Sequence, residues 1–357
     1  MVSLLDERPG AVELGVLVDG EEARAISYPG MVGPVQPGDH VLLNTTAEWL
    51  RLGTGGFHFV VAVRGRQRTE TGVRGRTMKL RYTPQQVQVL AAEESTSPHR
   101  EAMEAAVGLD GTPVVWVPLH SMIGPVAAGA RAAGAERVAY VMTDGAALPS
   151  PLSRLSASLR RAGILEAVIT TGQAFGGDIE TVNVFTGLLA GHHVVRGDVL
   201  VAGDGPGNTG TDTTWGATDI ESAMSLNAAH ILAGRPIAAL RISFADIRDR
   251  HRGVSHHSLT ALAHVALAPV HVAVPTMEDE SLRRVVWEAL RGAGLHERHQ
   301  LVEATGQPAL DLLADHGIEP ESMGRSVNDD PHFFMAAGAA GVLAGRMAAG
   351  GRRWREG

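Results

Sequence analysis

Residues 199–216, VLVAGDGPGNTGTDTTWG, join a short apolar run to a loop of glycine, asparagine, aspartate and threonine. The apolar run is typical of a buried strand that delivers a ligand-binding loop. Glycine adopts positive φ without steric cost, so the four glycines of the loop could turn several backbone N–H groups the same way. Such an arrangement favours an anion, most often a phosphate or a carboxylate. We therefore expect residues 203–210, called the glycine loop below, to bind an anionic ligand.

The glycine loop matches the letters of the dinucleotide-binding pattern Gly-x-Gly-x-x-Gly. Its context disfavours a Rossmann cofactor site, because the next helix pattern starts only near Thr218 and no acidic residue lies about 20 positions further on. Another phosphate or sugar site is favoured, and a tight strand-to-helix turn is the alternative without a ligand. Asp204 is a candidate for proton transfer. The predicted ligand-binding residues are Gly205, Gly207, Asn208, Thr209, Gly210, Thr211 and Asp212.

Residues 243–257, SFADIRDRHRGVSHH, interleave arginine with aspartate and histidine directly after a predicted buried strand. This density of charge predicts either a catalytic or substrate-clamping role or an internal network of salt bridges. Adjacent histidines on a helix diverge by about 100°, so we expect only His256, rather than His257, to face the site as a general acid or base. A capping or packed histidine is the alternative. The remaining candidates are His251 as a catalytic residue and Arg248, Arg250 and Arg252 as ligand contacts.

Four further candidates follow other predicted strands. Asp178 could be catalytic or hold a metal, or it could cap the next helix. Glu180 and Asn183 would share one side of that helix and bind a metal or a sugar hydroxyl. His120 could contact the ligand or could be a packed histidine.

A divalent metal is an open alternative for this set of residues, although the chain has no tight ligand spacing such as His-Glu-x-x-His. A Ser-His-Asp triad has less support, because no Gly-x-Ser-x-Gly elbow follows a predicted strand. The cofactor therefore stays unknown at this point. The residues considered for the metal are His120, Asp178, Asp204, Asp212 and His256.

The elements that must position these residues belong to an alternating pattern of strands and helices. Near-continuous apolar runs are typical of strands buried on both faces, as in a parallel sheet. Parallel α/β sheets bind ligands outside the carboxyl ends of their strands, so the candidate side chains should meet at one edge. The predicted strands are residues 114–117, 137–142, 167–171, 199–202, 237–243, 271–274 and 301–304.

The first 95 residues differ, with short β patterns separated by glycine and proline, at 11–18, 23–27, 40–44, 57–63 and 78–82. This spacing predicts a small barrel or sandwich. A basic segment over 64–81, including Arg68 and Arg74, is either a solvated face or a partner surface. The predicted organisation is a β-barrel-like domain over 1–96, a linker helix and loop over 97–113, and a three-layer α/β ligand-binding domain with a mostly parallel sheet over 114–357.

Composition excludes several classes of protein. The formal net charge of −8 over 357 residues argues against a dedicated nucleic-acid binder. The chain has no cysteine, which excludes disulfides, thiolate nucleophiles and cysteine-ligated metal sites. Lys79 is the only lysine and no P-loop motif occurs, so anion contacts fall to arginine and backbone N–H groups. The N-terminus lacks a signal-peptide pattern and no apolar stretch approaches about 20 residues, so we expect a cytoplasmic protein without membrane contact. We also expect a homo-oligomer.

The chain resembles a bacterial family catalogued as domain of unknown function 3866. The resemblance covers nearly the whole chain, including LGTGGFHFV and MKLRYTP of the β region, and it implies no catalytic roles. The runs that carry it are GGDIETVNVFTGL at 176–188, GDGPGNTGT at 203–211, RHRGVSHHSLTAL at 250–262 and VNDDPHFF at 327–334.

From the residues alone we expect an enzyme that binds a phosphorylated or nucleotide-like anionic small molecule and acts by hydrolysis or group transfer. In this hypothesis the glycine loop binds the anion and an arginine of residues 248–252 neutralises developing charge. His256 moves protons together with Asp178 or Asp204. A non-catalytic ligand-sensing or assembly module and a metal-dependent hydrolase are the alternatives.

Overall fold

The computed structural model describes residues 3–50, 55–66 and 75–355 of the chain. The strands are β1 (Ser3–Arg8), β2 (Ala11–Val18), β3 (Glu21–Ser27), β4 (Val41–Asn44), β5 (Phe57–Val63), β6 (Thr77–Lys79), β7 (Val87–Val89), β8 (Pro113–Trp116), β9 (Val138–Thr143), β10 (Ala167–Thr170), β11 (Ile179–Glu180), β12 (Val199–Asp204), β13 (Arg235–Ala239), β14 (Ile242–Ser243), β15 (Gly253–Val254), β16 (His271–Pro275) and β17 (Gln300–Ala304).

The helices follow the same order along the chain. They are α1 (Pro29–Val32), α2 (Thr46–Trp49), α3 (Arg100–Ala105), α4 (Ile123–Ala132), α5 (Arg154–Arg161), α6 (Val184–His193), α7 (Thr218–Ser222), α8 (Met224–Ile231), α9 (His256–Thr260), α10 (Glu280–Gly292), α11 (Leu295–Arg298), α12 (Gln307–Asp315) and α13 (Pro331–Arg355). Short 3-10 turns occur at His120–Met122, Ser150–Leu152 and Asp249–His251. The chain divides into two compact units, Met1–Leu90 and Ala91–Gly357. The domain boundaries inferred at 96 and 113 stay predictions.

The first unit is built on a mixed sheet with the strand order β1-β2-β3-β5-β4. Strands β3 and β5 are parallel and the other pairs are antiparallel. Its core includes the fully buried Leu14 and Ala25. Among the described residues the sheet is open, with β1 and β4 as its edges, so these strands do not close into a barrel. Arg68 and Arg74 of the basic segment lie outside the described residues.

The second unit confirms the three-layer α/β prediction. Its eight-stranded sheet has the order β11-β10-β9-β12-β8-β13-β16-β17, and every printed pair in it is parallel. All seven predicted strands are present at or near their expected positions. The run 237–243 divides, because the chain leaves the sheet after Ala239 and β14 then forms a hairpin with β15. The two-residue strand β11 was missed, since so short a strand leaves no periodic pattern.

Alternate side chains of the strands face opposite helical layers. In β8, Val115 packs into a core with Ile123 of α4 and Phe333 of α13. Its neighbour Val114 packs on the other face, in a core that includes Leu188 of α6 and Ala229 of α8. Both faces of the strand are therefore dry, which explains why these strands are apolar throughout rather than alternating.

The direction in which the chain adds strands to the sheet reverses between β8 and β12. From β8 the chain crosses through α4 to β9, and from β12 it crosses through α7 and α8 to β13, on the opposite layer. The two connections leave adjacent strands on opposite faces of the sheet. In α/β folds the carboxyl ends of two such strands border the crevice in which ligands bind. The residues that follow β8 and β12 are therefore placed at this crevice.

Helix α13 packs against α4 and α12 through small residues. A Cβ at Gly338 would lie 2.7 Å from Gly306 O, and one at Gly341 would overlap Val126 O of α4. Residues Pro331–Gly350 are long and apolar enough to cross a membrane by length and composition alone, and 67% of that window is buried in the protein. The prediction that no apolar stretch approaches the length of a membrane span is therefore wrong. A buried core helix passes the same test, and the burial of this segment is that of a core helix of the second unit.

Adding one methyl group between these helices should destabilise the second unit. Gly341→Ala forces α13 away from α4 and should lower the free energy of unfolding by about 2 kcal/mol, measured by urea denaturation. Gly350→Ala on the same helix is the control, because a Cβ there has nothing within 4 Å. The control should be neutral or stabilising by up to about 1 kcal/mol. Equal stability of the two variants would show that the helices do not pack as described.

Candidate functional site

Asp204 lies at the carboxyl end of β12, where its side chain is buried. Its Oδ1 accepts hydrogen bonds from Thr143 Oγ1 at 2.6 Å and from the Gly145 N–H at 3.1 Å, and its Oδ2 accepts from Asn208 Nδ2 at 3.2 Å. Burial raises the pKa of Asp204 to about 6, against the opposing effect of the Thr143 and Gly145 hydrogen bonds. A carboxyl group with this pKa can both donate and accept a proton near neutral pH.

His120 follows β8 and is buried beside Asp204. Its Nε2 lies 2.7 Å from Ser153 Oγ and its Nδ1 lies 3.2 Å from the Tyr140 hydroxyl, which donates to the Asp204 carbonyl at 2.7 Å. Burial lowers the pKa of His120 to about 4, so the ring is neutral near pH 7. Both ring nitrogens have partners within the protein, and this arrangement matches the packed-histidine alternative more closely than the ligand contact.

The glycine loop uses its glycines for close packing. Of its four glycines only Gly207 has positive φ, at 89°. A Cβ at Gly203 would lie 2.6 Å from Val117 Cγ2, and one at Gly205 would lie 2.5 Å from Ala147 O. A Cβ at Gly210 would lie 3.0 Å from His257 Cε1. The positive φ that the sequence offered for these glycines is therefore adopted by Gly207 alone.

Backbone groups in and after the glycine loop bond within the chain. The Thr209 N–H donates to Thr218 Oγ1 at 3.3 Å, and the Thr211 N–H donates to Gly216 O at 2.8 Å. Asn208 Nδ2 also reaches Thr218 Oγ1, at 3.3 Å. These donors hold the loop in shape, so anion binding by its N–H groups stays a prediction.

Three histidines meet next to this loop. His251 ends the 3-10 turn at the tip of the β14–β15 hairpin, and His256 and His257 begin α9. One ring nitrogen from each lies within 4.8 Å of the others. The ring centroids of His256 and His257 are 3.9 Å apart, so the expectation that these neighbours would point apart is wrong. We call His251, His256 and His257 the histidine cluster.

The histidine cluster is neutral near pH 7. Burial, reinforced by the positive charge of Arg241, lowers the pKa of His251 to about 3. Burial also lowers the pKa of His257 to about 4. His251 Nδ1 lies 2.8 Å from Ser255 Oγ, while the buried Nε2 atoms of His256 and His257 have no hydrogen-bond partner among the described residues. Neutral imidazoles with unpartnered nitrogens are the form that binds metals or accepts protons.

Arginines lie around the histidine cluster, and they differ in how many of their side-chain N–H groups already bond to other residues. Arg248 donates to Asp246 at 2.9 and 2.8 Å, which holds the pKa of that carboxyl well below its usual range. Arg241 is buried and donates to Asp246 at 3.1 Å, but its Nε has no hydrogen-bond partner among the described residues. The Nε of Arg250 is also buried without such a partner. Arg252 is exposed on the same segment.

Sequence reasoning missed three residues of this arrangement. His257 was set aside in favour of His256. Arg241 was hidden inside the apolar run 237–243, although a charged residue in such a run was a usable signal. Asp219 in the first turn of α7 is 5% exposed, and its Oδ1 lies 3.9 Å from His257 Nδ1. Burial raises the pKa of Asp219 to about 6, and no sequence pattern paired it with a histidine.

Asp178, Glu180 and Asn183 lie elsewhere, at the β10–β11 edge of the sheet. Asp178 pairs with Arg160 at 2.7 Å and accepts the Val168 N–H at 2.8 Å. Glu180 belongs to β11, and Asn183 caps α6 through a capping box. Asn183 rather than Asp178 caps the helix, and the expectation that Glu180 and Asn183 share one side of it is wrong, because the helix begins only at Val184. Strand β9 separates β10 from β12, so these residues are not brought to the histidine cluster.

The comparisons with known proteins bear on the family. A family model described as protein of unknown function (DUF3866) matches residues 24–341. The chain belongs to this family. The matched span contains the glycine loop, the histidine cluster and the arginines around it. Searches of curated proteins and of solved structures give no match to the chain. The function therefore has to be argued from the site.

Replacing His257 should reduce the dependence of stability on pH. Its pKa in the folded protein is about 4, against about 6.5 when unfolded, so its stabilising contribution is complete above pH 6.5 and is lost as the pH falls towards 4. We expect His257→Gln to take up about one proton fewer on unfolding between pH 6.5 and 4.5, measured by urea denaturation across that range. The comparison with the wild type cancels the contributions of titratable groups that lie away from the histidine cluster.

The control for this measurement is His230→Gln, at an exposed position on α8. It should keep the pH dependence of the wild type. A His257→Gln variant whose pH dependence also matches the wild type would show that this ring is not buried in its neutral form.

Proposed function

We propose that this protein is a metal-dependent hydrolase or group transferase acting on a phosphorylated or nucleotide-like anionic small molecule. The observation that carries the proposal is the histidine cluster, in which three ring nitrogens lie within 4.8 Å of one another beside Arg241 and Arg250. Three histidines with a fourth position left open form a common catalytic zinc site. This proposal joins two hypotheses that the sequence left separate.

The residues fit a metal by their chemistry and by their surroundings. Zn–N bonds of about 2.0–2.1 Å in a tetrahedral site require nitrogens about 3.3 Å apart. The three ring nitrogens lie within 4.8 Å of one another, so they converge on the space that one ion would fill. Metal-binding histidines usually hold their second nitrogen against an oxygen. Ser255 Oγ takes this place for His251, and the Asp219 carboxylate lies 3.9 Å from Nδ1 of His257.

The charges around the cluster favour an anionic substrate. Burial lowers the pKa of His256, and the positive charges of Arg250 and Arg241 close to the ring lower it further. These guanidinium groups oppose a bare cation, and Asp219 and Asp212 only partly offset them. A substrate phosphate or carboxylate would neutralise the remaining positive charge of the metal and the guanidiniums, and its oxygens would match their fork of N–H donors.

The chain's own groups can carry the steps of hydrolysis. A bound metal would supply a water whose pKa is lowered to about 7. Arg250 and Arg241 would stabilise the negative charge that develops on the substrate. Asp204 and Asp219 both have a pKa of about 6, so either carboxyl could pass a proton to the leaving group near neutral pH.

Metal content tests the proposal directly. We expect the purified wild-type protein to bind about one Zn²⁺ or Mn²⁺ per chain, because three neutral imidazoles converge. His251→Ala and His256→Ala should each weaken this affinity at least about 100-fold. The measurement is metal titration of the chelator-treated protein, followed by plasma mass spectrometry.

His264→Ala is the matched control, since His264 packs on Trp215 and lies outside the cluster. It should retain the metal. A metal-free preparation that turns over substrate at the full rate would instead favour His256 as a general base without a metal.

Arg250 should act on the substrate and leave the metal in place. We expect Arg250→Gln to lower kcat/KM for a phosphate ester about 10–100-fold, because a charge-assisted contact is lost, with metal content unchanged. The assay follows phosphate release from p-nitrophenyl phosphate and from nucleoside monophosphates and triphosphates. Arg291→Gln, at an exposed position on α10, is the control. Saturable binding of these compounds without any turnover would favour the ligand-sensing alternative.

A further inference from the structure

A cationic cavity lies at the amino ends of the strands of the large sheet, opposite the carboxyl ends near which the histidine cluster lies. It has a volume of about 600 Å³ and is lined by residues at or just before the amino ends of four strands, together with the end of α6 and part of α13. Arg137 precedes β9, Asp198 precedes β12 and Arg235 begins β13. The histidine cluster belongs to the carboxyl edge, so the two places are separated by the length of the strands. We call this second place the amino-edge cavity.

The amino-edge cavity gathers three guanidinium groups, those of Arg137, Arg196 and Arg235. None of the three has an ion pair or a side-chain hydrogen bond with another described residue. Each guanidinium carries five N–H donors in a planar fork that suits phosphate or carboxylate oxygens. Three such groups around one cavity present more donors than the described residues of the protein use.

The acidic residues of the cavity are already engaged in its wall. Asp198 Oδ2 accepts the backbone N–H groups of Glu136 and Arg137, at 2.8 and 3.0 Å. Asp110 Oδ2 lies 3.5 Å from His192 Nε2, and the other nitrogen of that ring lies 2.9 Å from Thr112 Oγ1. The carboxylates therefore shape the wall, while the guanidiniums keep donors for a ligand.

The local backbone leaves room for the arginines. Gly111 has φ of 74°, and a Cβ on it would lie 3.4 Å from Arg235 Nε. The Arg235 guanidinium thus lies over a position without a side chain. The volume of the cavity falls within the range of about 300–1,000 Å³ that is typical of small-molecule sites.

We propose that the amino-edge cavity binds a small molecule with two or more clustered anionic groups, such as a diphosphate or a polycarboxylate. Arg137, Arg196 and Arg235 supply the contacts, and the site is separate from the proposed catalytic centre. The three guanidiniums outnumber the carboxylates of the wall, and their unused N–H donors favour a ligand with several clustered anionic oxygens. The inference does not depend on the proposed function.

Calorimetric titration of the full chain with inorganic pyrophosphate, at constant ionic strength and without added divalent cations, tests the proposal. We expect Arg137→Gln and Arg235→Gln each to weaken binding at least about 10-fold, because each removes a charge-assisted contact. Citrate serves as the second probe. Tighter binding of pyrophosphate identifies a phosphate ligand, and tighter binding of citrate identifies a carboxylate ligand.

Two controls separate this cavity from the histidine cluster and from the general surface charge. Arg291→Gln on α10 should bind pyrophosphate as the wild type does. Arg250→Gln should keep the binding event that Arg137→Gln and Arg235→Gln weaken, even where it loses anion contacts at the histidine cluster. Circular dichroism and thermal melting confirm that each variant is folded. Loss of binding in Arg250→Gln, with Arg137→Gln and Arg235→Gln unchanged, would place the anion at the carboxyl edge and overturn the proposal. The proposal would also be overturned if neither pyrophosphate nor citrate bound at millimolar concentration.

Discussion

Both faces of the eight-stranded sheet are buried, and this burial constrains the rest of the second unit. Helices cover each face, so Val114 and Val115 both lie in dry cores although they point in opposite directions. Charged side chains can then reach solvent or ligand mainly where strands end. Asp204 and the histidine cluster lie at the carboxyl ends of the strands, and the three arginines of the amino-edge cavity lie at the amino ends.

Burial also sets the protonation of the site. The rings of His251 and His257 lie among apolar and cationic groups, so the neutral form is favoured at both positions. The same desolvation acts in the opposite direction on Asp204 and Asp219, whose pKa values rise towards neutrality. Neutral imidazoles that can bind a metal therefore stand beside carboxyl groups that can exchange protons near neutral pH.

A buried network of charges holds the hairpin that carries this site. Asp246 accepts hydrogen bonds from Arg241 and Arg248, and Ser243 donates to Asp330 at 2.6 Å. The sequence offered either a salt-bridge network or a ligand clamp for this segment, and the structure contains the network while leaving Arg250 outside it. Arg248 thus supports the hairpin, and Arg250 is the stronger candidate for a ligand contact.

The sequence by itself determined the class of fold and the edge at which polar groups gather, because uninterrupted apolar runs encode strands buried on both sides. It also singled out His251, His256 and Asp204 from their position after such strands. Only the tertiary structure decided that His257 joins His256 and that Arg241 and Asp219 lie beside them. It also decided that Asp178 and Glu180 lie away from the histidine cluster and that residues far apart in the chain form the amino-edge cavity. Periodic patterns report the local surroundings of each residue, whereas side-chain direction and long-range pairing depend on how distant segments pack.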